Sequence, residues 1–74
     1  MKKIDEFKRG DVVVMIGEAR WRMLIVDVKV ETYYGVTFER GEKIGVFAYT
    51  HSFSKSYIER NYIKVCSMKV PRWL

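Results

Sequence analysis

Seventy-four residues, 49% hydrophobic and 15% aromatic, make one small folded domain spanning 1–74 and argue against both disorder and a multi-domain enzyme. One cysteine rules out an intrachain disulfide, and one histidine beside it is too few ligands for a zinc site. The net charge of +5 is ordinary for a small domain, but it is unevenly placed: acids balance bases over residues 1–42, whereas residues 43–74 carry Lys43, Lys55, Arg60, Lys64, Lys69 and Arg72 against Glu59 alone.

In chain order, the opening MKKIDEFKRG has two lysines but no apolar stretch behind them, so it does not read as a signal peptide. Ile4 and Phe7, three apart, suit a helical turn covering one end of the fold. A first β-type run, Asp11 to Ile16, follows the turn pair Gly10-Asp11. Within it, Val12 to Ile16 is the longest purely apolar segment, too short to span a bilayer. The second run, Trp21 to Glu31, puts Leu24, Val26, Val28 and Val30 on one face and Asp27, Lys29 and Glu31 on the other, the alternation of a strand with one wet side. The third, Tyr33 to Arg40, puts Tyr34, Val36 and Phe38 opposite Tyr33, Thr37 and Glu39. Gly41 to Lys43 turns the chain into a fourth run, Ile44 to Thr50. Ser56 to Glu59 has the form of a capping box, and Asn61 tolerates the left-handed geometry of a helix exit. A single 3₁₀ turn therefore fits between the fourth run and the fifth, Tyr62 to Val70, which Pro71 stops. Cys66, flanked by apolar residues, reads as a buried small hydrophobe.

Five short strands with one 3₁₀ turn before the last predict an all-β fold, a five-stranded SH3-like barrel over about residues 7–66 with a tail, 67–74. FKRGDVVVMIG followed by a long second strand resembles the opening of small SH3-like barrels of the KOW and Tudor type. It is similar, too, to small uncharacterised bacterial and phage proteins with a Gly-Asp-Val-Val start. The KOW pattern keeps a glycine after its first strand, for which Gly17 could stand. It keeps another near the second strand, where this chain has Arg20, Trp21 and Arg22. The resemblance implies a fold and, loosely, a class of partner.

Catalytic chemistry has little to work with. His51 and Cys66 could form a nucleophile–base pair in principle, but each sits in a setting typical of a loop histidine and a core cysteine. RGEKIG lacks the spacing of a phosphate-binding loop, and no pair of carboxylates stands apart from neighbouring bases. The expectation is a non-enzymatic binding module without cofactor or metal, cytoplasmic, not membrane-bound, and a monomer or small homo-oligomer. The partner expected first is nucleic acid. Tyr49, His51, Phe53 and Tyr57 would stack on bases, and Lys43, Lys55, Arg60 and Lys64 would meet phosphates. The alternative is a protein-interaction module, such as a phage-type inhibitor that blocks a larger host protein, nucleic-acid-handling or otherwise. A second patch, Arg20, Trp21, Arg22 and Trp73, would serve that role, since tryptophan and arginine are frequent binding hot spots. The core competes for the same aromatics: Phe47, Tyr49 and Phe53 could alternate inward, and Tyr62 could be the inward residue of the last strand.

Overall fold

The computed structural model describes residues 6–18, 20–45 and 48–74. Five strands form one antiparallel sheet: β1 (Asp11–Met15), β2 (Trp21–Val28), β3 (Thr32–Glu39), β4 (His51–Ser54) and β5 (Tyr62–Ser67), with helix α1 (Lys55–Asn61) between the last two. The strand order is β4-β3-β2-β1-β5. Among the described residues β4 and β5 are the two edges, and no β4–β5 pairing closes the sheet. The expected all-β character is present. The helical turn expected around Ile4 lies outside the described residues, as do Val46 and Phe47 of the expected fourth strand.

The Gly-Asp pair starts β1 by local hydrogen bonding. The Asp11 carboxylate accepts the Lys8 amide at 2.8 Å, and the Asp11 amide donates to the Lys8 carbonyl at 2.9 Å. Gly10, at φ +97°, donates to the Ile25 carbonyl and accepts from Met68, so this one turn ties β2 and the end of β5 together. A side chain at that φ would be strained.

Both faces of the sheet are covered. On one face Val12, Leu24, Val26 and Val36 form a core with Val70, flanked by Tyr34, Phe38, Ile44, Ala48 and Leu74. On the other, Val13, Met23, Ile25 and Tyr33 pack with Ile58 of α1, flanked by Phe7, Val28, Phe53 and Tyr62. The alternation expected in the third run therefore holds, but the second run does not keep one wet side. The register slips between Ile25 and Asp27. An extra residue in one strand shifts every later side chain to the other face. Val28 accordingly joins the α1-side core, and Val30, past the end of β2 in the turn to β3, is 90% exposed.

The fourth strand also differs from expectation. None of the described residues between Lys43 and Thr50 is in a strand, and β4 begins only at His51. Ile44 and Ala48 instead pack as loop residues on the first core. Their apolar character reflects that lid role, not a place in the ladder.

The expected 3₁₀ turn is a seven-residue α-helix, starting earlier than the capping box implied. Ser56 lies inside it and shares a hydroxyl contact with Ser54, while Glu59 is drawn away to Tyr33. Asn61 is not left-handed: among the described residues no non-glycine has positive φ. Its amide group donates to the Tyr57 carbonyl and its own carbonyl accepts from Ile16. Seven helical residues reach only about 10 Å. A flat five-stranded sheet would separate its edges by about 19 Å. The sheet must therefore curl strongly for α1 to carry the chain from one edge to the other. Among the described residues no helix is long and apolar enough to cross a membrane.

Candidate binding surface

The residues expected to form one basic, aromatic face divide into three groups. Lys43 lies in the loop after β3, and Tyr49 and His51 lie just before and at the start of β4, all exposed, with Tyr49 at 80%. His51 approaches the Phe53 ring at 6.2 Å, and Phe53 is half-buried against the second core.

Lys55 belongs to the interior scaffold. Only 14% of its side chain is exposed, its ammonium pairs with Glu6 at 2.5 Å, and it sits 5.4 Å from the centre of the Tyr33 ring. Its amide donates to the Glu31 carbonyl. Beneath it, the fully buried Tyr33 hydroxyl donates to Glu59 and accepts the Phe7 amide. Burial first, and the bond to Glu59 next, push the phenol well above its ordinary range.

Tyr57, Arg60 and Lys64 form the third group, on α1 and β5. Tyr57 is exposed and meets Tyr62 edge-on at 6.2 Å; burial, then Tyr57, raises the Tyr62 phenol. Arg60 is exposed in the last helical turn and forms no ion pair among the described residues. Lys64 lies 3.2 Å from Asp11, a buried carboxylate. Two of the cations that lack acidic neighbours in sequence thus acquire them through the fold.

The second expected patch is also only partly assembled. Arg20 pairs with Glu39 at 2.8 Å and lies over Trp21, which is 47% exposed. Arg22 is half-buried, and its Nε is shielded without a hydrogen-bond partner among the described residues. A groove of about 200 Å³ runs beside them, lined by Met15, Glu18, Met23, Thr37 and Tyr62 as well. Trp73 is exposed on the tail, which docks through Val70 and Leu74 instead. No ring contact joins Trp73 to Trp21 among the described residues.

Sequence reasoning missed the outer surface of β5. After Tyr62 every residue of this strand is exposed, including Ile63 at 51% and Val65 at 42%. Cys66 is exposed as well, contrary to the expected core position. Apolar residues at successive positions, Tyr62-Ile63 and Val65-Cys66, look like a strand buried on both faces. The available signal was Lys64, since lysine within a strand is a common mark of an edge. His51 and Cys66 stand on the two opposite edge strands. Among the described residues no three His, Cys, Asp or Glu side chains gather where they could hold a metal. Comparison with protein-family models, with curated proteins and with solved structures finds no match for this chain.

Proposed function

We propose that this chain is a non-enzymatic interaction module on an SH3-like barrel, and that it binds a protein along β5. Three features support the barrel: a four-strand meander with the fifth strand returning beside the first, the helix just before that strand, and the strong curl that this helix imposes. The observation that carries the partner class is β5 itself. It shields β1, whose Asp11 to Val14 are buried, yet beyond the half-buried Tyr62 all of its own residues are exposed. Exposed apolar residues on an edge strand are the usual mark of a protein contact. The test is capture from host lysate with wild type and with Ile63→Asp, before and after nuclease treatment. A discrete protein retained after nuclease and lost with the variant is the expected result. Retention that vanishes with nuclease would overturn the reading.

Nucleic acid is the second reading. Lys43, Arg60, Lys69 and Arg72 support it: all are exposed and form no ion pair among the described residues. That reading requires anisotropy of a labelled oligonucleotide to fall steeply with salt, because phosphate binding releases counterions.

A further inference from the structure

We infer that the outer edge of β5 accepts an extended acidic peptide segment as an added antiparallel strand, which names the partner chemistry within the protein-binding reading and rests on it. The backbone supplies the first argument. In an antiparallel ladder a residue's N–H and C=O point to the same side, and the sides alternate along the strand. The Asn61 carbonyl accepts from Ile16 and the Met68 amide donates to Gly10, so both point inward to β1. Counting from either end, with the register slip opposite Val12 and Val13, Lys64 and Ser67 present N–H and C=O outward. Tyr62 adds only its carbonyl, because its amide closes α1 on Ile58. No strand among the described residues meets these groups.

Charge supplies the second argument and selects the occupant. From Arg60 to Leu74 there is no Asp or Glu, while Arg60, Lys64, Lys69 and Arg72 are all exposed. Asp11 partly neutralises Lys64, so Arg60 and Lys69 carry most of the free charge beside the strand. A second copy of this chain is a poor occupant. Pairing β5 with β5 would gather the lysines of both copies, and β4, His-Ser-Phe-Ser, brings no acid either. Lysine on an edge discourages self-association in this way. The same lysines attract a strand with acidic residues, and Ile63 and Val65 offer apolar contacts between them.

The experiment uses the full chain and a labelled peptide, acetyl-Glu-Val-Glu-Thr-Glu-Val-Glu-amide, at physiological salt. Two further peptides carry N-methyl groups either on every Glu or on every Val and Thr. Strand addition needs only one of those sets of N–H groups, so one methylated peptide should bind at least ~10-fold more weakly and the other within about twofold of the parent. Binding should protect the Lys64 and Ser67 amides from exchange and slow thiol labelling of Cys66. Lys69→Glu, an exposed site, should weaken binding without altering the fold. Equal binding by both methylated peptides, or by an oligothymidine of matched charge with no protection of β5, would overturn the inference. Capture of the Ile63-dependent protein in the lysate experiment, together with no peptide binding, would discard the acidic strand and leave the protein-binding reading standing.

Discussion

Tyr33 does more than fill space. Its hydroxyl joins the amino-terminal segment at Phe7 to α1 at Glu59 from a fully buried position. Tyr33→Phe keeps the ring but leaves both partners short of a hydrogen bond. It should lower stability by about 1–3 kcal/mol, read as a lower urea midpoint with unchanged slope. The phenol also sets a pH dependence. Its folded pKa is raised, so its contribution is complete below the unfolded value of about 10 and declines as pH rises beyond it. Urea melts between neutral pH and about pH 11 should show that alkaline decline flattened in Tyr33→Phe, with a remainder from Tyr62. Gly35 is constrained by space. A Cβ there would lie 2.6 Å from Met23 Cγ and 3.0 Å from the Leu24 carbonyl, in a layer where Met23 is buried. Gly35→Ala should cost about 1–3 kcal/mol by forcing Met23 aside, measurable in the same melts. Neither role is visible in sequence, where Tyr33 is one more alternating aromatic and nothing local shows what packs against Gly35.

At the level of elements, α1 is too short to be helical alone and is held by its neighbours. Ile58, with no exposed surface, is its anchor in the second core. Ile58→Ala should lower stability by about 2–4 kcal/mol through the cavity it leaves. Val30→Lys, at a site 90% exposed, should change it by less than about 0.5 kcal/mol in the same assay. The contrast is instructive because alternation alone ranks Val30 as a core residue. Short β-type runs between turn signals located β1, β2, β3 and β5 to within a few residues, since β-branched runs and glycine turns are local signals. The register slip at Val26 and the placement of β4 depend on what packs across the sheet, so no local pattern encodes them. The Ser56–Glu59 pair failed as a capping signal for the same reason: Glu59 finds a better partner in Tyr33.

Across the whole molecule, the uneven charge of the sequence is rearranged by folding. Glu6 and Asp11, from the balanced part of the chain, reach Lys55 and Lys64 in the basic part. The three cations that look equivalent in sequence therefore have different roles. Lys55→Glu should destabilise by about 1–3 kcal/mol, since a nearly enclosed carboxylate would face Glu6. Arg60→Glu should leave the thermal midpoint almost unchanged and act only on binding. Ion pairs between residues 49 or more positions apart lie beyond any reading of local composition. This is why the basic bias was legible while the residues free to express it were not.

The pairing of β1 with β5 also bears on how the molecule is made. The strand begun at Asp11 receives its second neighbour only when Tyr62 to Ser67 have been synthesised. Until then β1 presents Val12 to Val14 along an open edge, and the nascent chain resembles a sticky fragment more than a partial domain. Contacts this distant in sequence close slowly. Folding should therefore come late and all at once, after the last strand emerges. A ribosome-stalled chain ending before Tyr62 would remain open to protease, whereas one with the whole of β5 clear of the ribosome would resist it.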